Sequence, residues 1–218
     1  MRPQVLFIAL LGYLVGSIPF SYLIARWVRG IDLRRVGSGN VGASNVAREV
    51  GLIYGLVAGI LDFGKSAAFA LLLRALGYPI QVQMLGGLAA VAGHNWTVFL
   101  RFSGGRGIAA TLGLYLVLIP RLLLPGLFIV AFFSLVLRET ALGILVMLLS
   151  LAVATLVPAL NPYGSWATVL TWTALAMAVI RRIQFVTEDR RRGRPFVRAL
   201  WNRLLYDAGE KRKLPPVP

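Results

Sequence analysis

The stretch Arg34-Arg35-Val36-Gly37-Ser38-Gly39-Asn40-Val41-Gly42-Ala43-Ser44-Asn45-Val46-Ala47-Arg48 combines glycines, compact hydrogen-bonding side chains and cations. Glycine lets the backbone turn left-handed and approach a ligand closely. Consecutive backbone N–H groups in such a loop form a concave anion site. Ser38, Asn40, Ser44 and Asn45 add short polar arms, and Arg48 adds charge. A second stretch, Ser103-Gly104-Gly105-Arg106-Gly107, runs directly into Ile108-Ala109-Ala110-Thr111. A glycine turn feeding a helix start offers unpaired N–H groups to an anion, and the Arg106 guanidinium adds a charged fork. Both patterns suit a phosphate. Each taken alone is equally an ordinary connector, because Gly, Ser and Asn dominate turns.

Two smaller features lie inside greasy segments. Gly93-His94-Asn95-Trp96 holds the chain's single histidine. Polar groups at membrane depth are costly and face a cavity or a partner. His94 suits a phosphate contact or a proton transfer, and it also suits a plain satisfied core position. Asp62 and Lys65 stand three apart and share a helix face. They read either as a self-neutralising pair or as a phosphate-neutralising lysine with its counter-ion. One histidine and no cysteine leave no ligand set for zinc, and the absence of cysteine excludes disulfides and thiol chemistry. Neither a metal nor a cofactor is expected.

The elements that carry these residues are membrane helices. The chain has 218 residues and is 58% hydrophobic, and each span takes about 20 mostly apolar residues. The reading is an all-α polytopic membrane protein with seven transmembrane helices near 4–27, 52–73, 80–99, 107–120, 122–137, 140–160 and 164–181. The first is longer than a signal-peptide core and is read as a true span. Six spans is the competing count, with 107–137 as one kinked helix and a re-entrant piece. No segment alternates as barrel strands do. Seven spans place Arg26, Arg29, Arg34, Arg35, Arg48, Arg101, Arg106, Arg138 and the tail cations on one side. Arg2, Arg74, Arg121 and the in-span Lys65 are the exceptions among 23 Lys and Arg. Positive loops stay cytoplasmic, so the N-terminus is outside and the C-terminus is cytoplasmic. Both glycine loops, 34–51 and 100–107, then share the cytoplasmic face. The net charge of +15 serves topology and anionic lipid headgroups rather than nucleic acid. Residues 1–181 form the membrane domain, and 182–218 form a basic tail. In that tail Phe196, Val197, Leu200, Trp201, Leu204 and Leu205 mark an amphipathic helix on the membrane surface, and the closing Lys-Leu-Pro-Pro-Val-Pro is expected to be disordered.

Five motifs, in order and spacing, resemble the PlsY family, the acyl-phosphate:glycerol-3-phosphate acyltransferases of bacterial membranes. They are GSIPFSYLIAR (16–26), GSGNVGASNVAR (37–48), LDFGKSA (61–67), GHNW (93–96) and GGRGIAATLG (104–113). The resemblance runs over roughly residues 4–160. It implies seven spans in the bacterial cytoplasmic (inner) membrane and a cytoplasmic active site. It also implies transfer of a fatty acyl group from acyl phosphate to the 1-hydroxyl of glycerol 3-phosphate. The products would be lysophosphatidic acid and phosphate, and an upstream enzyme would supply the acyl phosphate. Three positions depart from the family. Its glycine turn usually reads GGKG where Arg106 stands here. Its Ser-Leu-Gly-Ser reads Ala141-Leu142-Gly143-Ile144. Its histidine and asparagine ahead of a C-terminal RLL motif have only a loose echo in residues 202–211, so a phosphate contact is lost or passes to tail arginines.

The donor is already activated, so no covalent enzyme intermediate is required. Positioning and preorganised donors supply the catalysis. The expected phosphate-binding set is Ser38, Gly39, Asn45, Arg48, Lys65, Gly104, Gly105, Arg106 and Gly107, and the expected catalytic set is His94, Asn40 and Asn95. The asparagines and Ser38 either bind substrate or shape the loop. His94 is either a phosphate ligand or the base. Soluble-headed acyltransferases carry an aspartate four residues after their histidine, and no acid follows His94 before Glu139. A transporter for an anionic phosphorylated metabolite would present similar pocket chemistry and is the alternative.

Overall fold

The computed structural model describes residues 3–191, 193, 195–201 and 203. Among them the regular structure is helical. In chain order the helices are α1 (Pro3–Ser17), α2 (Phe20–Arg29), α3 (Ala43–Glu49), α4 (Leu52–Ala75) and α5 (Ile80–Asn95). They continue with α6 (Ile108–Leu118), α7 (Pro120–Leu135), α8 (Thr140–Ala154), α9 (Ser165–Arg191) and α10 (Phe196–Trp201). Three stretches, Pro3–Arg29, Leu52–Ala75 and Ser165–Thr187, are long and apolar enough to cross a bilayer, and α6, α7 and α8 are shorter apolar helices. Large apolar side chains face outward, Phe7, Leu52, Ile60, Phe128 and Leu135 among them. In water this surface would aggregate, so the chain is a membrane protein.

Helices fall where the seven expected segments lie; the first is broken and the last runs past its expected end. In the first, α1 ends at Ser17 and α2 starts at Phe20. Pro19 has no N–H to give, and the residue before a proline avoids the helical region. Segment 107–137 is two helices that meet at Ile119, with Pro120 opening α7. Finally, α9 runs on through Arg181 and Arg182 to Arg191, well past the expected end at 181. Of the tail helix, α10 is described, with Phe196 and Val197 exposed. Leu204, Leu205, the closing Pro-rich segment and, apart from Arg203, the 202–211 echo lie outside the described residues.

Close packing by small residues aligns the site. Gly12 and Gly16 of α1 sit against the Gly86 and Ala90 carbonyls of α5, and Gly93 of α5 sits against the Tyr13 carbonyl of α1. Small residues four apart let two helix backbones approach in lipid. The approach brings the end of α5 to the α1–α2 break. There the Thr97 hydroxyl donates to the Ser17 carbonyl (2.5 Å) and the Lys65 ammonium donates to the Ile18 carbonyl (2.9 Å). Both carbonyls lost their helical partners at the break, and a backbone acceptor at this depth has to be satisfied from within the protein. The main apolar core lies elsewhere, where Leu114 and Tyr115 of α6, Met147 and Leu148 of α8 and Leu170 and Ala174 of α9 interlock.

A side chain at position 16 has no room against the Ala90 backbone. Gly16→Leu is expected to cost about 1–3 kcal/mol or more and to lower Tm in detergent. Gly64→Ala, where an added Cβ meets nothing within 4 Å, is expected to leave Tm unchanged or to raise it.

Candidate functional site

The α1–α2 break opens onto a buried polar cluster. The Asp62 carboxylate on α4 is 1% exposed. Its Oδ2 accepts a hydrogen bond from the Ser21 hydroxyl of α2 at 2.7 Å. Its Oδ1 lies 2.9 Å from Lys65 Nζ and 3.4 Å from His94 Nδ1 at the end of α5. A small cavity of about 10 Å³, room for about one water, adjoins the cluster. Asp62, Lys65, His94, Ser17, Thr97 and Gly104 are among the residues that line it. Asp62 and Lys65 are thus paired, and Lys65 also donates to the Ile18 carbonyl.

Beyond the cavity stands the turn Gly104–Gly107, pressed onto the Gly-His-Asn-Trp segment. An added Cβ at Gly104 would strike the His94 and Asn95 carbonyls, and one at Gly105 would strike His94 Nε2 and the Val41 carbonyl. Gly107 adopts φ +74° in the left-handed region before α6, and a Cβ there would strike the Asn95 side chain. Asn95 is fully buried, and neither its Oδ1 nor its Nδ2 has a hydrogen-bond partner among the described residues. A buried amide without a partner is rare in folded proteins and calls for an explanation, such as a ligand or an ordered water.

The first glycine loop reaches the same turn, through the Val41 carbonyl at Gly105. Asn45 on α3 holds the loop in shape. Its Nδ2 donates to the Leu33, Val36 and Asn40 carbonyls at 3.1–3.2 Å, and its Oδ1 accepts from the Ser38 N–H at 3.1 Å. Gly37 and Gly39 adopt positive φ, and Gly37 passes so close to the Asn45 and Glu49 side chains that no Cβ fits. Asn45 thus ties residues 33 to 40 of the loop to α3. Asn40 is buried, with its Oδ1 unpartnered among the described residues.

Cations gather on the far side of the turn. Arg181 of α9 donates from Nε to the Gly105 carbonyl (3.0 Å) and from Nη2 to the Gly104 carbonyl (2.9 Å). Arg203 forms a bidentate pair with Asp189 at 2.7 and 2.9 Å and also donates to the Ser38 carbonyl at 2.8 Å. The guanidinium carbons of Arg181, Arg106 and Arg203 stand 4.9, 5.0 and 5.2 Å from the centre of the Phe185 ring. Arg106 is 4% exposed. Burial first, and then the charges of Arg182, Arg203, Arg48 and Arg181, hold its pKa well below the ordinary guanidinium value. A guanidinium still keeps its proton at neutral pH. Burial likewise lowers Arg48.

Ser38, Gly39, Asn40, Asn45, Arg48, His94, Asn95, Gly104, Gly105, Arg106, Gly107 and Lys65 thus belong to one connected region at the cavity and the glycine turn. Sequence reasoning missed the Asp62–His94 contact, Ser21, Phe185 and the Arg181 clamp. No acid follows His94 closely in the chain, and its carboxylate arrives from a different helix. No group of three or more His, Cys, Asp or Glu suited to a metal occurs among the described residues.

A family model described as glycerol-3-phosphate acyltransferase matches residues 6–188. Glycerol-3-phosphate acyltransferase 5 of Dehalococcoides mccartyi (strain 195) is 57% identical over 112 residues, which is 51% of this chain and 48% of that protein. The glycerol-3-phosphate acyltransferase of Myxococcus xanthus is 45% identical over 137 residues, 62% of this chain and 71% of that protein. The chain spans about half the length of several of the curated relatives it matches. A crystal structure of PlsY, an integral membrane glycerol 3-phosphate acyltransferase, in its glycerol 3-phosphate form superposes with TM-score 0.76 at 32% identity. That match covers 86% of this chain and 92% of the other. The lysophosphatidic acid form gives TM-score 0.71 at 28% identity over 91% and 99%. With a family match that runs through all five motifs and a solved fold that follows the same helices, the chain belongs to the PlsY family of glycerol-3-phosphate acyltransferases.

Proposed function

We propose that this protein transfers a fatty acyl group from acyl phosphate to the 1-hydroxyl of glycerol 3-phosphate, at the cytoplasmic face of a bacterial inner membrane. In this reading the chain crosses the bilayer seven times, with its N-terminus outside and its C-terminus inside. An upstream enzyme that makes acyl phosphate supplies the donor. The observation that carries the reading is the meeting of two glycine loops at the Val41 carbonyl and Gly105, with buried guanidinium groups on one side and the His94 cavity on the other. Two phosphates and one hydroxyl need that combination.

The hydroxyl oxygen attacks the acyl carbon, and charge collects on the carbonyl oxygen. The bond from carbon to the phosphate oxygen then breaks, and phosphate leaves with the electron pair. The hydroxyl proton goes to His94 or to a phosphate oxygen. Arg48 and Arg106 neutralise phosphate charge. Arg181 holds the glycine turn in register with them, and Arg203 takes up the contact for which the family uses a C-terminal histidine and asparagine. Backbone N–H groups of the loops, with Asn40 and Asn95, orient the reactants and receive the developing oxyanion, a task that preorganised donors perform well in a water-poor site. Lys65 acts within this set by keeping Asp62 ionised and in place.

In proteoliposomes, phosphate is expected to be released from acyl phosphate only when glycerol 3-phosphate is present. Uptake of the ester into sealed vesicles without product would instead support a transporter. Arg106→Ala is expected to raise KM for glycerol 3-phosphate about tenfold to a hundredfold, the scale of one hydrogen-bonded charge contact. Normal KM and kcat in that variant would remove Arg106 from the phosphate site. The chain has no native cysteine, so single cysteines at Ser44 and Ser103 report sidedness without background. Both are expected to react with an impermeant maleimide only after the cytoplasmic face is opened, and labelling from opposite faces would overturn the topology.

A further inference from the structure

Asp62, 1% exposed, is a titratable group that the reaction as written does not use. Its carboxylate meets three donors from three helices: Ser21 of α2 at 2.7 Å, Lys65 of α4 at 2.9 Å and His94 Nδ1 of α5 at 3.4 Å. A carboxylate that accepts from a hydroxyl and is ion-paired with an ammonium has no proton to give. The atom of His94 that faces it must therefore carry the hydrogen. The opposite ring atom, Nε2, packs against Gly105, where only a residue without Cβ fits. The other charges near the ring are Lys65 on α4 and Arg181 on α9.

The geometry points to Asp62 as a positioning residue that fixes His94 as the Nδ1–H tautomer, so that Nε2 is an acceptor for a substrate hydroxyl and not a donor to phosphate. This rests on the acyl-transfer reading for the identity of the hydroxyl, but not for the tautomer. A neutral imidazole presents one donor and one acceptor, and the partner of one nitrogen sets the role of the other. With Nδ1–H directed at Asp62, Nε2 offers a lone pair. A lone pair repels a phosphate oxygen and attracts an O–H. Among the two roles open to His94, the phosphate contact is thereby excluded and hydroxyl orientation remains. The chemistry of the ligand is a polyol monophosphate. Its anionic end lies among the arginines beyond the Gly104–Gly107 turn, and its hydroxyl end turns inward to His94.

The single histidine makes the test direct. Full-length protein labelled with 15N-histidine in micelles gives one pair of imidazole nitrogen signals. With the ring neutral, the proton is expected on Nδ1, and finding it on Nε2 overturns the proposal without any substitution. Adding glycerol 3-phosphate is expected to move the Nε2 signal, whereas sulfate, a dianion without a hydroxyl, leaves it in place. An equal shift with sulfate, or no shift with glycerol 3-phosphate, overturns hydroxyl recognition. Asp62→Asn is expected to lose the Nδ1–H preference and to lower kcat at least tenfold while KM for glycerol 3-phosphate stays within about threefold, the pattern of a lost orienting partner. A loss confined to KM overturns the positioning role. If that variant fails to fold because Lys65 is left without its anion, the wild-type spectrum still decides. Absence of glycerol 3-phosphate-dependent phosphate release with an Nδ1–H spectrum would refute the acyl-transfer reading and leave the tautomer standing.

Discussion

A carboxylate inside a chain built for hydrocarbon must be neutralised by its neighbours, and Asp62 meets that demand with groups from three helices. The cost of burying an unpaired ion is several kcal/mol even after relaxation, so Ser21, Lys65 and His94 are fixed by the same requirement. Ser21 can reach Asp62 only because the first span breaks at Pro19 and restarts at Phe20. Lys65 in turn satisfies the Ile18 carbonyl that the break exposes. The break, the ion pair and the orientation of His94 are thus one structure. The tight backbone approach of α1 to α5 through Gly12, Gly16 and Gly93 makes it possible.

The glycine turn is the hinge between that interior and the charged exterior. One face of Gly104–Gly105 lies on the His94 ring and backbone, and its carbonyls are gripped by Arg181. The turn has arginines on one side and the cavity on the other, and the two sides belong to separate elements, α9 and the tail on one and α4 and α5 on the other. The turn touches both sets, and an added Cβ at Gly104 or Gly105 would strike the His94 and Asn95 segment. Even a methyl group would push α5 away from the arginines.

Composition and span length made the helices legible, and the charge pattern grouped the two loops before any contact was known. The loops do meet, at the Val41 carbonyl and Gly105. The break at Pro19 was hidden because its apolar flanks read as one continuous span, and the carbonyls it frees are satisfied by Thr97 and Lys65, far along the chain. The Asp62–His94 contact was equally hidden. Local spacing paired Asp62 with Lys65, and nothing in a helix period links it to a residue on the next helix. Arg203 was legible only as one of many tail cations, because its partner Ser38 lies 165 residues earlier. What sequence periodicity encodes is each helix's own face. Contacts between helices that carry one polar residue each leave no such trace.

Phe185 links two of the departures from the family's pattern. An aromatic ring between α9 and the turn offers its faces to cations at about 5 Å, a contact worth about 0.5–2 kcal/mol each. A planar guanidinium stacks on such a ring and keeps its in-plane donors free for carbonyl or phosphate oxygens, whereas a lysine presents a compact point charge. With Arg181, Arg106 and Arg203 all arranged around the same ring, arginine in the glycine turn is the residue that packs. Lysine there would lose one of the three guanidinium contacts to the Phe185 ring. The tail arginine belongs to the same solution: Arg203 brings Asp189 with it as a bidentate partner, which offsets part of the like-charge repulsion among the guanidinium groups. Arg106, Phe185 and the Arg203–Asp189 pair therefore pack as one cationic wall beside the glycine turn.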